Sequence, residues 1–315
     1  MECPLALMIT IDNIFKYLYL PACRAYAKYV LGDKRADAIM YWLFVPYFLC
    51  IHRYWPNFKN PKSFSEKIWH RKLYNRDPLL TLVSDKLLVR DYIAKHNGVN
   101  YLIPLLWQGD NPADIPFDNL PEKFVIKANH GCGYNIIVQD KMKLDKEKTK
   151  QRLSAWLNEN FCQDTGTGIA WAYKNIKPAI IVEAFIGENG QIPIDYKFFC
   201  YAGCAEFVQV SFGRFGDASE RLCDRNFKPL DAWNGLKLYD DEIKQPDNYE
   251  EMLKLADVLS QGFDFIRVDL YSVGKRIYFG ELTCYHAGGR ARFIPKEYDF
   301  IFGEKWVINN QPVDG

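Results

Sequence analysis

The sequence has almost no charge of one sign in excess: 40 Lys and Arg stand against 39 Asp and Glu, leaving +1 over 315 residues. A chain-wide basic surface of the kind that binds nucleic acid is therefore excluded, and any affinity for phosphate must be local. C-x-x-C pairs are missing among the nine cysteines (Cys3, Cys23, Cys50, Cys132, Cys162, Cys200, Cys204, Cys223 and Cys284), which removes a structural zinc site. Their odd number and scatter suit reduced thiols used for packing. Long apolar runs are missing too: Tyr41 to Ile51 (YWLFVPYFLCI) is too short to span a bilayer and contains Pro46. No basic segment precedes the first apolar residues, which Asp12 interrupts, so no signal peptide is expected. These absences indicate a cytoplasmic protein. The aromatic stretch around residues 41 to 51, with Lys16, Arg24, Lys28 and Arg53 nearby, suits either a helical pair packed on the main body or peripheral contact with a membrane face. Internal repeats, low-complexity tracts and an Asp-x-Asp metal motif are also absent.

What is present is 49% apolar and 25% charged, enough for one elaborate domain or a few closely packed smaller ones. Residues 1 to about 75 read as helical, with Ser63 or Ser65 capping SFSEKIWHRKLY and Ile68, Trp69 and Leu73 facing inward. A second helix is expected from Ser84 through DKLLVRDYIAKHN to a stop at Gly98, which places Lys86 on a helix. From Lys123 the apolar period changes to two: the strand FVIKAN, the glycine turn HGCG and the strand YNIIVQD. A charged helix over about Leu144 to Asn160 follows, then the strand AIIVEAFIG. Next come a hairpin DYKFFCYAGCAEFVQVSF turning at Ala202-Gly203 and a helix YEEMLKLADVLSQG ending at Gly262. Helices followed by mainly antiparallel strands predict an α+β chain and argue against a doubly wound parallel sheet.

The closing segment, FIRVDLYSVGKRIYFGELTCYHAGGR, carries two acids in otherwise sheet-like runs. Alternation puts Arg267, Asp269 and Tyr271 on one face of the first strand and Glu281 and Thr283 on one face of the second. A two-residue turn at Val273-Gly274 would send Glu281 to the opposite side from Asp269, whereas a three-residue turn using Gly274 would bring them together. Two carboxylates side by side on a rigid sheet repel unless a cation lies between them, and such oxygen ligands suit Mg²⁺. On the hairpin alone, two solvent-facing acids are the simpler reading. Lys127, at an alternating position just before His130-Gly131-Cys132-Gly133, has a similar double reading. The glycines permit close approach of backbone amides to a phosphate, or they simply make a hairpin turn. The turn is no Walker loop, because it runs into a strand.

The order of Lys86, Lys127 before the glycine turn, Glu183 in IIVEAFI, Lys197 in DYKFF and the final RVD…GELT resembles the ATP-grasp superfamily. More closely, NPKSFSEKIWHRKLY, SDKLLVRDYI, FVIKANHGCGYN and IYFGELTCY are similar to the TupA-like ATP-grasp branch linked to bacterial surface polysaccharides. The resemblance runs from about Asn60 to Phe302. It implies an ATP-grasp fold in which two α+β subdomains clasp ATP behind an N-terminal helical extension. The expected division is 1–75 for the extension, 76–122 for the start of the module, 123–187 for the small subdomain with its glycine-turn lid and 188–315 for the large subdomain with the metal site.

By the same resemblance, Lys86 and Lys127 contact the ATP phosphates and His130, Gly131 and Gly133 lie in the turn over them. Glu183, Ala184 and Phe185 hold adenine and ribose. Asp269, Glu281 and Thr283 bind Mg²⁺, although the family commonly has Asn where Thr283 stands. Lys197, Arg267 and Arg290 face the γ-phosphate or the acceptor. Read from the residues themselves, Asp195 suits orienting Lys197 or acting as a base, and His286 with Arg290 in YHAGGR suits either binding an acceptor carboxylate or phosphate or a surface loop. The implied reaction is ATP-dependent ligation of a carboxylate-bearing sugar or amino acid to an amine. A kinase on the same fold, a nucleotide-sugar glycosyltransferase and a non-catalytic ATP-binding scaffold are the competing readings.

Overall fold

A computed structural model of the chain describes residues 44–164, 170–187, 192–213, 217–235 and 237–309. Lys16, Arg24 and Lys28, and residues 41–43 of the aromatic stretch, lie outside these residues. The first helical segment described, α1, covers 44–52. It is followed by α2 (Phe64–Tyr74), whose start is set by Ser63. The Ser63 hydroxyl accepts from the Glu66 amide at 3.1 Å and Glu66 Oε2 accepts from the Ser63 amide at 2.9 Å, a reciprocal capping box. Phe64 and Ile68 enter the main core, while Trp69 joins Phe44, Phe48 and Phe58 in an aromatic cluster against which Leu73 packs.

The helix expected from Ser84 begins later, because another helix precedes it. Asp77 caps α3 (Pro78–Ser84) by accepting from the Leu79 amide at 2.8 Å, with Pro78 pre-set for the first turn. Asp85 then accepts from the Leu87 amide at 2.8 Å and turns the chain into α4 (Leu88–Lys95). Lys86 thus lies in the turn between two helices, not on a helix.

Two mainly antiparallel sheets follow. The smaller has the order β1-β4-β2-β3, with β1 Leu105–Gly109, β2 Phe124–Ala128, β3 Asn135–Val138 and β4 Ile180–Ala184. Helix α5 (Lys146–Leu157) covers it, contributing Leu153 and Trp156 to a core with Phe124, Ile126, Ile180 and Val182, and the short α6 (Phe161–Asp164) follows. The larger sheet has the order β10-β9-β5-β6-β7-β8. Its strands are β5 Asp195–Tyr201, β6 Cys204–Phe212, β7 Ser219–Asp224, β8 Lys237–Leu238, β9 Phe265–Val273 and β10 Arg276–Thr283. Only the β7–β8 pair is parallel among the described strands.

The β5–β6 hairpin turns at Ala202 and Gly203, whose φ angles of 47° and 83° match the positive φ that a two-residue hairpin turn demands. Phe198 meets Tyr249 of helix α7 (Tyr249–Leu259) at 5.9 Å, and its neighbour Phe199 meets Phe64 of α2 at 5.8 Å. Helices therefore cover both faces of the large sheet, with α2 and the C-terminal α8 (Glu297–Lys305) together on one of them. A buried ion pair between Arg71 of α2 and Asp264, just before β9, ties the helix to the sheet. The Arg71 guanidinium also lies 4.3 Å from the Trp306 ring centroid.

Candidate active site

The small sheet supplies one wall. Register places Lys127 opposite Ile181 and Val125 opposite Glu183, so the Lys127 and Glu183 side chains share a face as diagonal neighbours. Lys127 Nζ donates to Glu183 Oε2 at 2.6 Å, and Arg90 of α4 donates to Oε1 at 3.0 Å. A carboxylate as buried as Glu183 is tolerable only with such partners. Lys86 reaches across from its turn to the Gly131 carbonyl. Burial lowers the Lys86 pKa, against which the Glu281 carboxylate on the far wall works.

In the glycine turn Gly133 has φ 79°, and a Cβ on Gly131 would come within 2.6 Å of the Tyr134 ring. His130 points elsewhere: its Nε2 is 2.9 Å from the Trp156 carbonyl and its Nδ1 3.3 Å from Asn129 Oδ1, a placement that fixes the turn from behind.

The large sheet supplies the opposite wall, and its geometry turns on Gly280. The turn between β9 and β10 holds only Gly274 and Lys275, because Val273 pairs with Arg276. That even spacing would set Gly280 opposite Asp269. Instead a bulge between Phe279 and Glu281 slips the register by one, and Glu281 pairs with Asp269. A three-residue turn, the route expected from sequence, is therefore not how the two acids meet. Gly280 is required because a Cβ there would fall 2.9 Å from the Tyr271 ring and 3.0 Å from the Asp269 carbonyl. A glycine inside a strand is the signal that could have revealed the bulge.

Arg267 lies among the acids. Its Nε and Nη2 donate to the two oxygens of Asp269, each at 2.6 Å, and Nη2 also reaches Glu281 Oε1 at 3.1 Å and Thr283 Oγ1 at 3.0 Å. Thr283 in turn donates to Glu281 Oε1 at 2.8 Å. Burial pushes the Asp269 carboxyl up to about 6 while Arg267 pulls the other way. His286, read from sequence as an acceptor contact, is buried behind this cluster with Nδ1 3.0 Å from Arg267 Nη1. Its pKa is driven well below the usual value by burial, then by Arg267, so the neutral ring can accept from the guanidinium. Lys197, opposite Asp269 on β5, donates to Asp195 Oδ2 at 2.7 Å and Ser211 Oγ at 2.8 Å, deeper on the same face.

Two adjoining cavities separate the walls. One is bounded by Lys86, Lys127 and Glu183 on the small-sheet side and by Arg267, Glu281 and Thr283 on the large-sheet side, and it continues to Arg290. The other shares Lys86, Lys127, Glu183 and Glu281 and is walled by Ala184, Phe185, Tyr271 and Gly280. Asp269 is nearly inaccessible at 3%, while the Glu281 side chain keeps 37% exposure. Of the donors read for Mg²⁺, Glu281 is open to the cavity with a hard carboxylate oxygen, whereas both Asp269 oxygens are taken by Arg267. No group of three or more His, Cys, Asp or Glu side chains that could hold a metal stands together among the described residues.

A cation-bearing antiparallel sheet thus faces an acid-bearing one across a shared cavity, the arrangement expected of an ATP-grasp protein. The chain belongs to the TupA-like ATP-grasp family, whose pattern matches residues 66–307. Among solved structures it is similar to D-alanine–D-alanine ligase from Bacillus anthracis complexed with ATP, at 12% identity and a TM-score of 0.40, covering 66% of this chain and 57% of that one. It is similar as well to the D-cycloserine synthetase DcsG, at 13% identity and a TM-score of 0.40 over 72% and 70% of the two chains. Phosphoribosylamine–glycine ligase from Thermotoga maritima matches at 12% identity and 0.40 over 65% and 48%. The chain thus spans a little over half the length of the first of these ligases. No curated protein sequence matches it.

Proposed function

We propose that the protein is an ATP-dependent carboxylate–amine ligase. The observation that carries this reading is the facing of Lys86 and Lys127 against Glu281, Thr283 and Arg267 across one cavity. Lys127 and Lys86 would engage the phosphates beneath the Gly131–Gly133 turn, and Ala184 and Phe185, beside Glu183, would border the base and ribose. Glu281, backed by Asp269 and Thr283, would hold Mg²⁺, which supplies charge neutralisation at the phosphates when bound. Arg267 would offset negative charge as the γ-phosphoryl group moves to a substrate carboxylate. That transfer breaks the bond to the β-phosphate and releases ADP; the amine then attacks the acyl carbon, the C–N bond forms as the C–O bond to phosphate breaks, and inorganic phosphate and the amine's proton leave. Arg290 is suited to the acceptor, and Lys197 with Asp195 supports the floor through Asp269.

The acid is proposed to be a uronic acid or amino acid of a bacterial cell-surface or capsular polysaccharide, following the family resemblance, with the reaction in the cytoplasm or at the inner membrane face. No helix among the described residues is long and apolar enough to cross a membrane. The test is release of ADP and phosphate with candidate acids, with and without amines, and capture by hydroxylamine. A ligase yields ADP, phosphate and a hydroxamate. ADP without phosphate marks a kinase using a sugar hydroxyl, and transfer from a nucleotide sugar would overturn both.

A further inference from the structure

Lys72 is a buried cation that the ligase reading leaves without a task. It is carried by α2, outside both sheets, yet it lines the cavity at the end away from Ala184 and Phe185, where Arg290 also lies. Only 2% of the residue is exposed. Its Nζ donates to the Gly288 carbonyl at 2.9 Å and lies 4.3 Å from the centroid of the Trp69 ring. No carboxylate is bonded to it among the described residues, although a buried ammonium ordinarily requires one.

The segment it touches is strained: Ala287, Gly288 and Gly289 have φ of 46°, 64° and 77°. A left-handed alanine costs on the order of 1 kcal/mol and persists only where its surroundings fix it. Here the surroundings are α1 and α2, since the Gly289 carbonyl is held by Trp69 Nε1 at 2.9 Å and lies 3.0 Å from His52 Nε2. Helical residues outside the sheets therefore hold open a cavity end where Lys72 and Arg290 come together. Tyr173 and Tyr285 wall the same end, their ring centroids 6.5 Å apart.

We propose that Lys72 is a binding residue for an anionic group of the second substrate, a small carboxylate- or phosphate-bearing molecule seated between Tyr173, Tyr285 and the 287–289 segment. The inference rests on the ligase reading for the identity of that substrate but not for the anion site itself. Burial, then Arg290, brings the Lys72 pKa down to about 7, the shift expected where a positive site awaits a counter-charge.

The test is equilibrium binding to the full chain saturated with Mg·ADP, which keeps the nucleotide phosphate positions filled. Inorganic phosphate and D-glucuronate are titrated separately, with D-glucose as the neutral control, and heat and tryptophan fluorescence are followed. At least one of the two anions is expected to bind saturably and glucose not. Lys72→Met should weaken anion binding about tenfold or more, and Lys72→Arg should keep it within a few-fold. Unchanged anion affinity in a folded Lys72→Met, or no saturable binding of either anion to the wild type, overturns the proposal. Should Lys72→Met fail to fold, the Lys72 ¹³Cε titration in the wild type decides: it must move to higher pH when the bound anion is present. Failure of the ligase reading would show separately, as absence of ADP formation with intact anion binding.

Discussion

Asp269 and Glu281 stand directly opposite each other on β9 and β10, and the residue that aligns them is Gly280. Gly280→Val would drive a side chain into the Tyr271 ring and the Asp269 carbonyl, with a stability cost of about 1–3 kcal/mol. Relief of that clash by restoring regular pairing would turn Glu281 away from Asp269. ADP formation is expected to vanish while circular dichroism still reports a folded chain; retained turnover would detach the bulge from the chemistry.

Glu281→Gln tests the metal assignment separately, since it keeps the shape and removes the charge. Nucleotide should still bind, but Mg²⁺ should no longer strengthen that binding, and turnover should fall about a hundredfold or more. Thr283→Val should show a milder loss, about tenfold, because it removes the 2.8 Å bond that orients Glu281 and leaves the carboxylate in place.

Lys127→Met removes one of two cations from Glu183 and a proposed phosphate contact with it. Affinity for Mg·ATP should fall about tenfold or more by calorimetry, whereas binding of adenosine should change little. An equal loss for both ligands would indicate that Lys127 acts on the base side instead.

Glu220 of β7 is buried and accepts from Gln209 Nε2 at 2.6 Å; burial lifts its pKa from 4.5 to about 7. The folded chain therefore holds a proton that the unfolded chain has released between those values. The associated stability is fully present below about pH 4.5 and is lost as pH rises towards about 7, by about 3 kcal/mol at most. Urea unfolding between about pH 5 and about pH 8 should show a smaller decline in Glu220→Gln than in the wild type. Parallel curves would place the titration elsewhere.

Asp264→Ala strips the partner from buried Arg71 and should cost about 3 kcal/mol, since an uncompensated guanidinium remains between Phe265 and Trp306. The urea midpoint measures it, and a shift below about 0.5 kcal/mol would show that the ring contacts alone hold the charge.

Local chemistry made much of this fold legible. The Ser63 capping box, the Ala202-Gly203 hairpin and the period-two strands around Lys127 and Glu183 follow from residue types a few positions apart. The short α3 was hidden because PLLTLVS offers no long periodic face, and the expected helix absorbed its last residue, Ser84. The facing of Asp269 and Glu281 is left open by the sequence, because parity at the turn sets them apart and the slip that joins them occurs at Gly280. The burial of His130 and His286 was not legible, since Trp156 and Arg267 reach them only through tertiary packing. Lys72 escaped notice for the same reason: nothing within α2 says that its ammonium meets residue 288.

The left-handed run at 287–289 bears on how the protein can be cut and recombined. A fragment beginning at residue 76 would retain every described strand of both sheets and would look, by its topology, like a complete nucleotide-binding module. It would nevertheless lack His52, Trp69 and Lys72, the side chains that grip the carbonyls of Gly288 and Gly289. Freed of them, Ala287 should relax out of its unfavourable conformation, and the end of the cavity beside Lys72 and Arg290 would lose its shape. Swapping this module between relatives to exchange substrates would thus require carrying α1 and α2 along with the sheets.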